Sequence, residues 1–449
     1  MDPLIEKYAG AKVPRYTSYP TVPDFQKGFA GSTYRRWLEA LDPKEPVSLY
    51  LHVPFCRKMC WYCGCNMKLA NRYEPISDYV GTLIKEIELV AAALPGKLPV
   101  SHLHWGGGTP TALSPDDLER VMDVIRERFA ITGEAELAIE SDPRTLTAEM
   151  AGRIGRLGFT RASFGVQEFD PKVQAAINRI QPPDMVERAV NRLREAGVTG
   201  INFDLIYGLP HQTVSSIVET IATCRRMQPD RVALFGYAHV PWMAKNQRMI
   251  KEEALPNAEA RYAQARATAD RLVAAGYLDI GLDHFALPMD SLAVAAVDGT
   301  LRRNFQGYTT DQAETLLGFG ATSIGKTPSG YVQSITETRA WTRAVEEGDL
   351  PVAKGHALSD DDRIRGHIIE QIMCQGVVDL SDLAREFALP GDWCRDELQR
   401  LDPLVKDGLA TLSAGTIQLT DQGRALARVV AAVFDSYRQT ATSRHSVAV

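Results

Sequence analysis

The sequence predicts an α/β fold: a partial, TIM-like (β/α)6 barrel over 46–290. An N-terminal arm (1–45) precedes it, and a mostly helical, winged-helix-like C-terminal domain (291–449) follows. Three observations carry this. Six short apolar runs alternate with segments of helical period, and repeated βα units make a parallel sheet with right-handed crossovers. Chemistry-bearing residues fall at the C-terminal end of each run, the end at which barrels gather their sites. Beyond 290 the alternation stops.

The first strand, Val47–Phe55, ends at a cysteine-rich loop, and a helix follows over Pro75–Leu94. The second, Val100–Trp105, runs into Gly106-Gly107-Gly108-Thr109-Pro110. Ser114 then caps a helix to about Phe129, with Asp116 and Asp117 in the first turn, where the helix dipole favours acids. Ala135–Glu140 is the third strand and Thr147–Leu157 its helix. Arg161–Val166 ends at Gln167 and leads to helical stretches near 171–178 and 185–196. Ile201–Tyr207 carries Asp204 and precedes a helix at 215–227. Arg231–Tyr237 ends at Ala238 and His239, before a helix at 257–275, and Leu278–Asp283 is a candidate further strand. Farther on, 302–309 reads as loop and Glu314–Lys326 as a Gly-rich apolar stretch. Helices are expected at 361–374, 380–387 and 393–402, then a hairpin over Gly408–Leu419 and a last helix from Asp421. Helices followed by a small hairpin suggest a winged helix.

Hydrophobic residues make up 45% and charged residues 24% of the 449, enough apolar content for a full core in a soluble chain. The net charge of −6 disfavours a broad nucleic-acid face. The helix at 379–387 carries more acid than base, which argues against a DNA-reading winged helix. The first ten residues lack the apolar core of a signal peptide, and no run of 18 apolar residues suggests a membrane span. A cytoplasmic enzyme, expected as a monomer, is the resulting picture.

Cys56, Cys60, Cys63 and Cys65 lie within ten residues, while Cys224, Cys374 and Cys394 are scattered. Thiolates packed this closely repel one another unless a metal centre or disulfides take up the charge. A disulfide pair is disfavoured by compartment. Zinc usually takes ligands from two separated knuckles, and there is no second one. An iron–sulfur cluster on C-x3-C-x2-C would suit the softness of thiolates and leave one iron without a cysteine. Cys65 follows Cys63 too closely to wrap easily around a fourth corner. Other polar residues at strand ends are ambiguous alone. The Gly106–Gly108 run reads as a tight turn or a close backbone approach to a ligand. Glu140 reads as a cap, an arginine partner or an acceptor for ribose hydroxyls. Gln167, Arg179 and Asp204 share that ambiguity, and His52 reads first as a packed strand histidine. No H-E-x-x-H or G-x-S-x-G motif supports zinc catalysis or a serine hydrolase.

The spacing Cys56-x3-Cys60-x2-Cys63 after a strand resembles the radical S-adenosylmethionine superfamily. Tyr50-Leu-His52-Val-Pro-Phe55 and Cys63-Gly-Cys65-Asn66 resemble, within it, the oxygen-independent coproporphyrinogen III oxidase (dehydrogenase) family. So do Tyr16-Thr-Ser-Tyr-Pro20, Asp283-His284-Phe285-Ala286 and Gln306-Gly-Tyr308-Thr-Thr310. The resemblance runs from about Tyr16 to about 430. It implies a radical-type barrel with a 4Fe–4S cluster on Cys56, Cys60 and Cys63, whose open iron binds S-adenosylmethionine and splits it to methionine and a 5′-deoxyadenosyl radical. It places Tyr50, Gly107, Glu140 and Ile324 around that molecule. Tyr62, Gly108, Thr109, Gln167, Arg179, Asp204 and Ala238 go around a second one. It implies oxidative decarboxylation of two propionates of coproporphyrinogen III to vinyl groups, giving protoporphyrinogen IX in haem biosynthesis. A flavodoxin- or ferredoxin-type electron donor and a further electron acceptor would serve it. Cys65 is then expected to be a functional non-ligand in proton or hydrogen transfer, against a bland reading as packing. The substrate's carboxylates call for local cations in an acidic chain, and Arg15, Arg302 and Arg303 are the candidates. Competing readings are a radical-fold haem chaperone, another haem-modifying radical enzyme and an iron–sulfur DNA-binding regulator.

Overall fold

A computed structural model describes residues 3–439; the extreme ends of the expected arm and tail, 1–2 and 440–449, lie outside the described residues. The chain forms two compact units, each built from separated segments: 26–275 with 311–357, and 1–25 with 276–310 and 358–449. The linear division at 45 and 290 does not coincide with these units.

The larger unit holds the six expected strands: β1 Val47–Val53, β2 Pro99–Gly107, β3 Ala130–Ser141, β4 Arg161–Gln167, β5 Gly200–Tyr207 and β6 Arg231–Gly236. They lie side by side in sequence order, every pair parallel. β1 is buried at every position but Tyr50, which explains its near-continuous apolar run: helices cover a parallel sheet on the outside and the core fills the inside. Side chains at the positions before the helices do the capping. Ser114, Thr147, Thr213 and Asn257 each accept an N–H from the first turn of the following helix, a contribution of about 1 kcal/mol apiece.

Beyond 310 the chain returns to the same sheet. β7, Thr315–Phe319, pairs in parallel with β1, and the antiparallel strands β8 Ile324–Thr327, β9 Gly330–Ser334 and β10 Val352–Ala357 extend that edge. The Gly-rich apolar reading of 314–326 is therefore corrected to two strands. Its glycines are packing requirements: a Cβ on Gly318 would stand 2.6 Å from the Ile324 carbonyl oxygen.

In the second unit, Leu278–Gly281 and His284–Ala286 form a hairpin. The expected loop at 302–309 is a second hairpin, Arg302–Asn304 with Gly307–Thr309. The helix Asp360–Cys374 precedes a three-stranded sheet of Val377–Asp379, Ala410–Ser413 and Thr416–Leu419. The helices Leu380–Glu386 and Arg395–Lys406 lie between its first two strands in the chain, giving the expected winged-helix-like order. The N-terminal arm is tied to the tail: the Tyr16 hydroxyl donates to Asp435 at 2.9 Å, and Tyr19 bonds Ser436 at 2.9 Å. Among the described residues no helix is long and apolar enough to cross a membrane.

Candidate functional site

The C-terminal ends of the strands in the larger unit assemble around the cysteine loop. The loop leaves β1 and is clasped by a short parallel pairing of Phe55–Cys56 with Lys68–Leu69. All its cysteines are free thiols. Cys56 Sγ lies 3.3 Å from Thr109 Oγ1 after β2. Cys60 Sγ accepts from two guanidinium groups, Arg144 at 3.4 Å and Arg179 at 3.3 Å. Both arginines also pair with Asp142, at 2.6 and 3.6 Å. Burial alone would raise the Asp142 carboxyl, but Arg179 and Arg144 outweigh it and hold it down at about 2. The result is a buried Arg–Asp–Arg group at the ends of β3 and β4 with surplus positive charge beside the sulfur.

The thiols are not equivalent. Cys63 is drawn down to about 7, first by a hydrogen bond from the Cys65 thiol and further by the Cys65 N–H, which reaches its sulfur at 3.4 Å. The same bond holds the exposed Cys65 well above its ordinary value, so Cys63 takes the charge and Cys65 keeps the proton. Burial pushes Cys56 up to about 11. Among the described residues no three His, Cys, Asp or Glu converge on a single ion position. A cubane puts each thiolate on a different iron and does not ask them to. Soft thiols beside paired guanidinium groups fit such a cluster, since the cations offset the charge that three thiolates bring.

The glycine run follows from the loop. A Cβ on Gly108 would meet the Phe55 backbone at 2.8 Å, one on Gly107 the His52 ring at 2.5 Å, and one on Gly106 the Glu140 carboxylate at 2.7 Å. Gly107 also has φ +111°, a conformation other residues rarely adopt. Its N–H donates to Glu140 Oε2 at 3.2 Å, and His104 lies 3.4 Å from Oε1. Tyr50 stacks on His104 and bonds His52 Nδ1 at 3.1 Å. His52 itself is buried and bonded on both ring nitrogens, the second to the Asn66 carbonyl, so it is a packed strand histidine. Ile324 starts β8 against Gly318, whose register partner is Tyr50, so it reaches the same end of the sheet.

Gln167 is buried with φ +66°, and its Oε1 has no hydrogen-bond partner among the described residues. Asp204 accepts from Ser163 at 3.1 Å, and burial, then the Glu140 charge, lifts it to about 7. Tyr62 and Ala238 are joined through Gln247, whose amide donates to both carbonyls, at 2.8 and 3.2 Å. Asn246 likewise donates to the carbonyls of Cys60, Trp61 and Cys63. Arg144, Asn246 and Gln247 escaped the sequence reading. Arg144 sits four residues past Glu140, and that nearness to a strand end is the one signal in the sequence that marks it. Asn246 and Gln247 lie in an irregular segment without a pattern.

The smaller unit gathers its own cationic cluster and brings two motif stretches together. His284 packs edge-on against Tyr308, centroids 5.3 Å apart. The Arg303 guanidinium lies over the Tyr308 ring at 4.6 Å and donates to the Arg15 carbonyl at 3.3 Å. Its buried Nη1 has no hydrogen-bond partner among the described residues. Arg15 lies 3.9 Å from Asp283, whose carboxyl is raised by burial against the opposing pull of Arg15, Arg428 and Arg303. Arg302 is instead paired with Glu370 at 3.2 Å.

The Radical SAM superfamily model matches residues 50–224, and the HemN C-terminal domain model matches 358–426. The oxygen-independent coproporphyrinogen III oxidase of Bradyrhizobium diazoefficiens is 49% identical over 446 residues, 99% of each chain. That of Cereibacter sphaeroides is 43% identical over 438 residues, 98% of this chain and 97% of its own. The solved structure of coproporphyrinogen III oxidase (HemN) from Escherichia coli, described as a radical SAM enzyme, superposes with a TM-score of 0.91 at 38% identity. It covers 95% of this chain and 100% of that one. With such identity along nearly its full length, and with three free thiols at the strand ends of the shared barrel, the chain belongs to the oxygen-independent coproporphyrinogen III oxidase family of the radical SAM superfamily.

Proposed function

We propose that the protein oxidatively decarboxylates two propionate side chains of coproporphyrinogen III to vinyl groups, yielding protoporphyrinogen IX. The observation that carries this is the loop of Cys56, Cys60 and Cys63, with Arg144 and Arg179 on the Cys60 sulfur, in a chain 49% identical to a relative of that name. A 4Fe–4S cluster on these thiols with S-adenosylmethionine supplies, when bound, a carbon radical able to take a hydrogen atom from an unactivated C–H.

The chain's own part is binding, orientation and exclusion of water. Tyr50, Gly107, Glu140 and Ile324 form the wall for S-adenosylmethionine, with Glu140 the acceptor for ribose hydroxyls. Tyr62, Gly108, Thr109, Gln167, Arg179, Asp204 and Ala238 make a second site, supported by the unpartnered buried Gln167 oxygen. Within that set Gly108 and Arg179 also hold the cysteine loop in place. Cys65, an exposed thiol two residues past Cys63, is suited to give hydrogen to a product-side group. Arg303 and Arg15 take substrate carboxylates, with the free Arg303 Nη1 as the donor in waiting. Arg302 is a weaker candidate, because Glu370 already answers it. The chain works in the cytoplasm, where exposed thiols such as Cys65 stay reduced. It works as a monomer fed by a flavodoxin- or ferredoxin-type donor.

The test is an anaerobic assay of the reconstituted, dithionite-reduced protein with S-adenosylmethionine and coproporphyrinogen III, following protoporphyrin fluorescence after oxidation. Product that disappears with Cys56→Ser, Cys60→Ser or Cys63→Ser is expected. S-adenosylmethionine cleavage without product would move the substrate elsewhere, and tight haem binding with neither would favour the chaperone.

A further inference from the structure

Three strongly exposed apolar side chains sit together in one short irregular segment: Trp242 is 61% exposed, Met243 76% and Met249 58%. Ile180, 55% exposed, lies in the connection after the helix Pro171–Ala176. Both segments are bonded directly to the backbone of the cysteine loop. The Asn178 side chain donates to the Met59 carbonyl at 2.7 Å, and the Trp61 N–H to the Ile177 carbonyl at 2.9 Å. Asn246 and Gln247 hold four more loop carbonyls, those of Cys60, Trp61, Tyr62 and Cys63. The sulfurs of Cys56 and Cys60 meet Thr109, Arg144 and Arg179 at the strand ends instead. The 240–250 segment thus holds the loop by its backbone carbonyls, while other elements hold its sulfurs. Isolated apolar side chains are ordinary on a surface, but four around one functional loop mark an interaction site.

The charge there is opposite to that of the whole chain. From Phe55 to Tyr73 the sequence carries Arg57, Lys58, Lys68 and Arg72 and no acid. From Val240 to Lys251 it carries Lys245, Arg248 and Lys251 and no acid. Flanking acids are partly used: Glu252 pairs with His239, Asp184 with Arg188 and Glu337 with Lys68, and Glu253 follows. A basic rim of this kind in a chain of net charge −6 selects an acidic partner and speeds its encounter.

Resting on the reading above, we propose that Ile180, Trp242, Met243 and Met249, with Lys58, Lys245 and Arg248 of the cysteine loop and the 240–250 segment, are the docking surface for a small acidic flavin-carrying protein of the flavodoxin type. The apolar dimethylbenzene edge of its flavin matches the apolar centre, and its acidic rim the cations. One electron leaves the fully reduced flavin and enters the cluster; no bond forms and no atom is transferred. Electrons enter across the segment that holds the loop carbonyls.

The experiment uses the iron-reconstituted, full-length protein without coproporphyrinogen. Cluster reduction is followed by its visible bleaching and electron paramagnetic resonance, with photoreduced flavodoxin and, separately, with dithionite. For the wild type, the flavodoxin rate should fall steeply toward about 0.5 M salt. Lys245→Glu combined with Arg248→Glu should slow it about tenfold at low salt, and Trp242→Ala severalfold with the salt slope kept. Dithionite reduction and iron content should stay unchanged in all three. Equal flavodoxin rates in wild type and variants, or no reduction of the wild type by flavodoxin, would overturn the proposal. So would an equal loss with dithionite, which would make these residues loop supports. Faster reduction by an acidic 2Fe–2S protein with the same variant and salt dependence would overturn the flavin assignment. Because product is not measured, normal cluster reduction in a chain that makes no protoporphyrinogen would count only against the reading of the reaction.

Discussion

Gly108 lies so close to the backbone of Phe55 that a Cβ would stand 2.8 Å from both its nitrogen and its carbonyl oxygen. The residue before the first cysteine is thereby locked to the end of the neighbouring strand, and the Gly108 N–H, donated to the Val53 carbonyl at 2.9 Å, completes the lock. Gly108→Ala must push the two strand ends apart. The expected result is a folded protein that retains less than half the wild-type iron after reconstitution, at a stability cost of about 1–3 kcal/mol. Iron analysis together with thermal unfolding of the apoprotein checks it.

Cys65 offers a sharper separation of roles. Cys65→Ser should keep the iron content and the cleavage of S-adenosylmethionine but lower protoporphyrinogen formation by about 100-fold, in the range of a lost proton-transfer group. If iron is lost along with product, the thiol supports the loop instead.

Arg303 and Arg302 are half-buried neighbours with different fates, one with a buried Nη1 that has no hydrogen-bond partner among the described residues and one spent on Glu370. Arg303→Gln should raise KM for coproporphyrinogen III by about tenfold, the equivalent of one charge-assisted hydrogen bond. Arg302→Gln should change it less than Arg303→Gln. Steady-state kinetics on both variants, with S-adenosylmethionine saturating, decides between them.

Glu86 is fully enclosed and accepts the Gly320 N–H at 2.6 Å. Burial raises its carboxyl to about 7, above its unfolded value. The folded state therefore holds the proton more tightly. The associated stability is fully present below the unfolded pKa and is lost as the pH climbs through about 7. The slope approaches about 1.4 kcal/mol per pH unit inside that window. Glu86→Gln should flatten this part of the stability–pH curve, which urea melts between pH 4 and 8 would show.

Much of this architecture is legible from residue pattern alone. β1 is buried at nearly every position, β4 and β5 alternate buried with half-buried ones, and amphipathic helices stand between the strands, so each reads as a short apolar run followed by a change of period. β7 broke the pattern: Thr315–Phe319 is five residues with a glycine, it returns to the sheet without a helix after it, and its partner β1 lies far back in the chain. The glycine run is readable as a place of close approach, but not what approaches it, since the Phe55 and His52 contacts depend on the register between β1 and β2. Cys56, Cys60 and Cys63 announce themselves by density. Arg144 and Asn246 do not, because a guanidinium on a sulfur and an amide on three carbonyls need neighbours brought in from other strands.

The late arrival of β7 has a consequence for how the protein is made. Until Phe319 leaves the ribosome, one flank of β1, the strand that carries the cysteine loop, has no partner strand. At ordinary elongation rates that flank waits roughly 10–50 s. An uncovered strand edge is a template for pairing with other chains. The nascent protein thus passes through a window in which its cysteine loop can already exist while the sheet that carries it is still open. Until β7 arrives, that open edge is the part of the nascent sheet most exposed to pairing with other chains.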